Sequence, residues 1–270
     1  MAERKGSARR KTVGATHAHG VLESTAQAKP LTGRVVLITG AARRIGRQVA
    51  LAMARAGADV AITFRTSERD AHHTIEQIGI AGVRGLAIRC DVRDPLNVKE
   101  MVDDVGREFG RLDILVNNAA IYETVNFERI TAEQWDNMFA TNVRGPFLVS
   151  QAAAPQLRTT KGRIINIGSL GGLEAWATHA HYCASKAALV MLTEVTAKAL
   201  APEVAVNCVA PGMIWLGESK PTRFLKHIAQ KTPMQRAGTA ADVVEAVMFL
   251  ASATHFITGQ VLTVDGGLRL

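Results

Sequence analysis

The chain has 270 residues, 47% hydrophobic and 21% charged, with a formal net charge of +8. That composition suits a globular protein able to fill a core and excludes a fibrous or wholly disordered chain. No apolar run reaches the ~20 residues of a membrane helix, and the opening "MAERKGSARRKTVGATHAHG" has no apolar stretch of the secretion-signal kind. Cys90, Cys183 and Cys208 lie far apart with no CxxC pair, which points to reduced thiols in a cytoplasmic protein and away from a disulfide frame or a zinc site.

Half of the charge excess sits in residues 1–30, where Arg4, Lys5, Arg9, Arg10, Lys11 and Lys29 face only Glu3 and Glu23. Without apolar periodicity this segment reads as a disordered, solvated basic tail. Contact with nucleic acid is the lesser reading of such a cluster. The "HAHG" at 17–20 is a poor metal cage on a flexible tail, and no metal is expected.

From residue 31 the chain alternates strand and helix to its end. "RVVLIT" (34–39) predicts the first strand, and an Ala-rich helix then runs to Gly57. "DVAITF" (59–64) is the second strand and "GLAIRCDV" (85–92) the third. Pro95 opens a helix that runs to about Phe109. "LDILVNNAA" (112–120) is the fourth strand, followed by a long helical stretch from about Thr131 to Leu157. "GRIINIGS" (162–169), a helix over about 182–200, "VAVNCVAPG" (204–212), a helix from near Thr239 and "GQVLTVDGG" (259–267) complete the pattern. Strands apolar on both faces and separated by helices predict one α/β domain over 31–270. This is a Rossmann-type doubly wound parallel sheet of about seven strands with helices on both faces. Such sheets bind ligands beyond the carboxyl ends of their strands.

The strand ends carry the chemistry. After the first strand comes "TGAARRIGR", where Gly40 permits a tight turn and Gly46 lets the helix approach the sheet. The helix N-terminus would offer amides and a partial positive charge to a pyrophosphate. Arg44 stands where a third glycine is expected. After the second strand, a cofactor with a free ribose 2′-hydroxyl would meet an acid, but this chain has Arg65, Thr66 and Ser67. With Arg43, these residues favour NADP(H). Asp91 follows the third strand, Asn117 and Asn118 the fourth, and Ser169 the fifth. "YCASK" then sets Tyr182 and Lys186 at i and i+4 on one helix face.

With "TGAARRIG", "CDV", "NNAA", "TNV", "GS", "YCASK", "NCVAPG" and "TGQVLTVDGG" in this order, residues 31–270 resemble the short-chain dehydrogenase/reductase family. The resemblance implies a catalytic tetrad of Asn142, Ser169, Tyr182 and Lys186. Tyr182 would give its proton to a substrate oxygen, with its phenol made more acidic by the Lys186 ammonium. Ser169 would hold the same oxygen, and Lys186 would also hold the ribose hydroxyls. Asn142 would interrupt its helix and anchor a water leading to Lys186. The resemblance also implies that Asp91 accepts from the adenine amino group beside Val92, and that Ile214, after Pro211 and Gly212, meets the nicotinamide amide. Ile45, Asn118 and Ala119 join the cofactor set. Leu216 stands where the family often has Thr.

Arg44 in "AARRIG" and Tyr122 after "NNAAI" resemble the pteridine-reductase-like branch, although many of those enzymes carry Asp at the place of Ser169. The expected activity is therefore NADPH-dependent reduction of a small-molecule carbonyl or of a pterin-type C=N bond. Reduction of a 3-oxoacyl thioester on acyl carrier protein, or of another small ketone, is the rival. A non-catalytic NADP(H) sensor would have no use for the tetrad. Trp176, Trp215 and Phe224 are candidate pocket walls with Arg44 and Tyr122. A lid is expected at about 213–233, where Lys220, Arg223, Lys226 and Lys231 face Glu218. His179 and His181 read as pocket or surface side chains. A homotetramer packed through the helices near 131–157 and 182–200 is implied by the family.

Overall fold

The computed structural model describes residues 29–217, 220 and 222–270. Nearly all of the basic segment, its "HAHG" and Glu218 lie outside the described residues. Among the described residues no helix is long and apolar enough to cross a membrane, and no cluster of His, Cys, Asp or Glu is arranged to hold a metal ion.

Seven strands form one parallel sheet in the order β3-β2-β1-β4-β5-β6-β9. They are β1 (Val35–Ile38), β2 (Asp59–Phe64), β3 (Gly85–Arg89), β4 (Ile114–Asn117), β5 (Arg163–Ile167), β6 (Ala205–Pro211) and β9 (Val261–Val264). Helices α1 (Arg44–Arg55), α2 (Glu68–Ile80) and α8 (Ala240–Ser252) cover one face. The other is covered by α3 (Pro95–Phe109), α5 (Gly145–Thr160) and α6 (Ala180–Leu200). Alternation along a strand splits its side chains between the two layers. Val36 and Ile38 of β1 pack with Val49, Met53, Val247 and Leu250, while Val35 and Leu37 pack with Met101, Val105, Val149 and Leu157. A pair of two-residue strands, β7 (Ile214–Trp215) and β8 (Gly238–Thr239), lies outside the main sheet.

Local chemistry sets the helix ends. Asp94 accepts from Leu96 N at 2.8 Å ahead of Pro95, and Gly110 closes α3 with φ 75°. Thr239 and Asp242 form a capping box that starts α8. The helix expected from Thr131 to Leu157 is interrupted. Helix α4 (Ala132–Phe139) passes through a π-helical turn at Ala140–Arg144 before α5 begins, so Asn142 does break its helix. Such single π turns are frequent at functional sites.

At the amino ends of the central strands, Asp113 is 2% exposed and accepts from Arg34 Nη1 (2.8 Å), Arg111 Nη2 (2.6 Å) and Val35 N (2.9 Å). Burial pushes its carboxyl up, but the hydrogen bonds from Arg111, Arg34 and Val35 outweigh this and hold it below the usual carboxylate range. Asp113→Ala is expected to cost about 2–4 kcal/mol at neutral pH, because the buried Val35 N–H loses its acceptor along with the charge-assisted bonds from two arginines. A carboxylate whose folded pKa is depressed stabilises the fold above its unfolded value of about 3.9, and that stabilisation is lost as pH falls through the lower folded value. The deficit of the variant should therefore be full at neutrality and shrink below about pH 4. Urea denaturation at both pH values checks this, and a deficit independent of pH would contradict it.

Candidate active site

In strand order the chain runs outward from β1 to β3, then crosses back to β4 beside β1. The crevice expected at such a reversal is present as a cleft of about 650 Å³ over the strand carboxyl ends. Every residue assigned to the cofactor lines it: Gly40, Arg43, Arg44, Ile45 and Gly46 after β1; Arg65 and Ser67 after β2; Asp91 and Val92 after β3; Asn118 and Ala119 after β4. Tyr182, Lys186, Pro211, Gly212 and Ile214 complete the lining.

The wall that would face a pyrophosphate is built by close approach. Gly40 turns with φ 63°, a conformation cheap only for glycine. Its N–H donates to Thr63 Oγ1 at 3.0 Å. Asn118 Nδ2 donates to Thr39 O (2.9 Å) and Gly40 O (3.0 Å), while Thr39 Oγ1 accepts from the N–H groups of Asn118 and Ala119. Thr39 and Thr63 are thus structural members of the site that the sequence did not single out. Arg43 at the N-cap gives α1 no side-chain cap, so the first helical amides are not taken by a capping side chain. Arg44 adopts φ 56°. It takes the left-handed backbone that the usual glycine would supply, at a cost of roughly 1–2 kcal/mol, and places its side chain on the cleft. Thr141 Oγ1 is buried without a partner on the same lining. An uncapped helix start, a glycine approach and an orphaned hydroxyl all fit a dinucleotide.

Deeper in the cleft, the Ser169 side chain accepts from Gly171 N at 3.1 Å, which leaves its own proton to donate. It lines the same cleft as the Tyr182 phenol. Tyr182 is 9% exposed, and burial pushes its phenol up to about 12, against the opposing hydrogen bond from Ser169. The expectation that Lys186 makes this phenol more acidic is therefore not met in this state, because desolvation outweighs a charge 5.9 Å from the ring centre. Lys186 is itself buried, donates from Nζ to Ile167 O at 2.8 Å, and is pushed down to about 8 by burial. Asn142 does not reach the cleft. Its amide pairs with both backbone groups of Ile121 (2.9 and 3.0 Å) and donates to Ser185 Oγ at 3.1 Å. In this structure it fixes the loop after β4 against α6.

A Ser–Tyr–Lys group at one end of a crevice over the strand carboxyl ends is the arrangement that the resemblance implied, and the comparisons bear on the family. The family model described as enoyl-(acyl carrier protein) reductase matches residues 40–269. The 3-oxoacyl-[acyl-carrier-protein] reductase FabG of Staphylococcus aureus is 38% identical over 239 residues, covering 87% of this chain and 97% of the relative. The chain belongs to the short-chain dehydrogenase/reductase family. A 3-oxoacyl-[acyl-carrier-protein] reductase of Synechocystis sp. is 35% identical over 242 residues, covering 88% of this chain and 98% of that one. Among solved structures, a short-chain dehydrogenase/reductase of Serratia marcescens superposes with a TM-score of 0.85 at 34% identity, covering 89% of this chain and all of that one. One from Mycobacterium marinum gives 0.83 at 36%, covering 89% and 97%. These relatives support the family; none of them marks the pteridine branch.

The expected role of Asp91 and two of the candidate pocket walls meet a different geometry. Arg93, which the sequence reading passed over, holds Asp91 through Nε (2.9 Å to Oδ1) and Nη2 (2.5 Å to Oδ2), and its Nη1 donates to Asn137 Oδ1 at 2.7 Å. The hydrogen bond from Arg93 is the main reason the Asp91 carboxyl lies below its usual range, and an adenine amino group would have to share that carboxylate. Trp215 and Phe224 do not line the cleft. Strand β7 alternates sides, so Ile214 and Leu216 face the cleft while Trp215 between them does not. Phe224 is exposed on α7 (Arg223–Lys231).

Tyr122 and Trp176 do line the cleft of this short-chain dehydrogenase/reductase, beside Tyr182. Tyr122 meets Tyr182 edge-on at 4.9 Å between centroids, and Trp176 lies nearly parallel to Tyr182 at 6.2 Å. His179 is half-buried between them and His181 is fully buried. A larger, more open groove of about 1160 Å³ beside α4 and α5 shares Asp91 but holds none of Ser169, Tyr182 or Lys186.

Proposed function

We propose that this protein reduces the carbonyl of a small ketone or a 3-oxoacyl compound to a secondary alcohol, with NADPH as reductant. The grouping of Ser169, the buried Tyr182 phenol and the buried Lys186 on one cleft carries the reading. NADPH supplies a hydride to the carbonyl carbon when bound. At neutral pH Tyr182, pushed up to about 12, remains a protonated donor for the carbonyl oxygen, and Ser169 holds that oxygen through its hydroxyl proton. The Lys186 ammonium offsets the negative charge left on the phenol. The 3-oxoacyl class is supported by the 38% identity to FabG. A pterin is the second reading, supported by Arg44 and Tyr122 on one cleft. Ser169, in place of the Asp of many such enzymes, weighs against it. Assays of NADPH oxidation with 3-oxo esters, simple ketones and oxidised pterins side by side decide between these, and activity on pterins alone would overturn the carbonyl reading.

The preference for NADPH rests on Arg43, Arg65 and Ser67 on the cleft, with no acid among residues 65–67 at the end of β2. Arg43 is 3.6 Å from Asp70, a loose and exposed pair that a phosphate would readily replace. NADPH is expected to bind at least about tenfold more tightly than NADH, or about 1.4 kcal/mol. In Arg65→Ala most of that difference should vanish. Fluorescence titration of both cofactors measures it; equal affinities in the natural protein would remove the assignment.

A further inference from the structure

On the substrate side of Tyr182, two hydroxyls share one nitrogen. Tyr122 Oη lies 2.6 Å and Thr124 Oγ1 2.9 Å from the same Nε2 of His179, while Thr178 Oγ1 meets the other ring nitrogen, Nδ1, at 3.0 Å. An imidazole nitrogen offers one N–H or one lone pair at a time. If Nε2 carries a proton, it donates to one of the two oxygens, and both hydroxyl protons stay available. If Nε2 carries the lone pair, it accepts one hydroxyl proton, and the other stays available. In every case the pair holds at least one O–H that His179 does not use. Among the described residues neither hydroxyl has another hydrogen-bond partner.

The group is also held in place. Val125 N–H donates to Thr178 O at 2.9 Å, and His179 N–H donates to Trp176 O at 3.0 Å. The ring of His181 stands 3.4 Å from Glu123 Oε2. Glu123 and Val125, both just after Tyr122, therefore tie the loop after β4 to the segment at the start of α6. Of the two hydroxyl-bearing residues, Tyr122 is the one on the cleft, edge-on to Tyr182. Burial, followed by the neighbouring His181, lowers the pKa of His179, so the neutral imidazole prevails at neutral pH.

Resting on the ketone-reduction reading above, we infer that Tyr122, oriented by His179, is a second oxygen-binding group of the substrate pocket. The substrate carries a second oxygen (ester, thioester or hydroxyl) within two or three bonds of the carbonyl that is reduced. Tyr122 positions and selects; it does not transfer the proton. Because Tyr122 is 59% exposed, water replaces a missing substrate oxygen easily, and the selectivity is modest.

Ethyl acetoacetate and 2-heptanone have the same chain length and the same methyl ketone, but only the first has a second carbonyl two bonds away. Its keto group is also intrinsically more reactive, so the readout is the change in the ratio of the two kcat/KM values on mutation. Tyr122→Phe, which keeps the ring, is expected to lower that ratio about tenfold, equivalent to about 1.4 kcal/mol, mostly through KM. His179→Leu should lower it in the same direction. Calorimetry with the product alcohols, ethyl 3-hydroxybutyrate and 2-heptanol, gives the same comparison without turnover. An unchanged ratio and unchanged relative binding in Tyr122→Phe would overturn the inference. If neither ketone is reduced although NADPH binds, the ketone reading fails, and the relative binding of the two alcohols still decides for or against Tyr122.

Discussion

Tyr182→Phe is expected to lower kcat for ketone reduction on the order of 10³-fold, the range of a positioned general acid, while NADPH affinity stays within about twofold, a difference of ~0.4 kcal/mol. The substitution removes one hydroxyl and keeps a ring that fits between Tyr122 at 4.9 Å and Trp176 at 6.2 Å. Ser169 keeps its bond from Gly171, and Lys186 keeps its bond to Ile167 O, so the cofactor side is undisturbed. The pH dependence of the natural protein follows from the same burial. The phenol, pushed up to about 12, stays protonated through neutrality. Lys186, pushed down to about 8, loses its charge first, and with it the support for a developing phenolate. Reduction should be level through neutrality and decline as pH rises above about 8. A Phe variant that retains most of the rate would show that Tyr182 is not the acid.

Much of this site was legible because parallel α/β sheets put their chemistry at strand ends, and strand ends can be found by apolar runs that stop. Residues assigned across six strand ends line a single cleft. What escaped was set by contacts across the fold. Arg93 captures Asp91 only because Asn137 on α4 stands ready for its other nitrogen. The acidity of Tyr182 depends on how far its phenol is desolvated, which a lysine one helical turn away does not reveal. Trp215 is a candidate pocket wall by residue type, yet a two-residue strand alternates its sides. His179 was read as a pocket or surface histidine, and its link to Tyr122 spans 57 positions. Arg44 was visible as a departure from glycine, but that it would itself take φ 56° was not.

The glycine two positions on offers a sharper comparison between two helices. Gly46→Ala is expected to weaken NADPH binding on the order of 10²-fold, about 2.7 kcal/mol. A Cβ on Gly46 would lie 2.4 Å from Asn118 Nδ2, 2.9 Å from Ala41 Cα and 3.0 Å from Gly40 O. Asn118 cannot swing aside without breaking its bonds to Thr39 O and Gly40 O. The other two neighbours are backbone of a turn pinned by Thr63. The start of α1 must therefore move away from the sheet, and the amides that would face a pyrophosphate move with it. Overpacking of this kind costs about 1–3 kcal/mol, partly offset by the roughly 1 kcal/mol that Ala gains over Gly inside a helix, so Tm should fall little while cofactor affinity falls steeply. Gly79 in α2 supplies the control. A Cβ there meets nothing within 4 Å, so Gly79→Ala should raise stability by about 1 kcal/mol and leave NADPH affinity as it was. The same substitution in two helices then separates helix propensity from close approach. If Gly46→Ala binds NADPH as the natural protein does, the contact of α1 with the end of β4 is not what shapes the site.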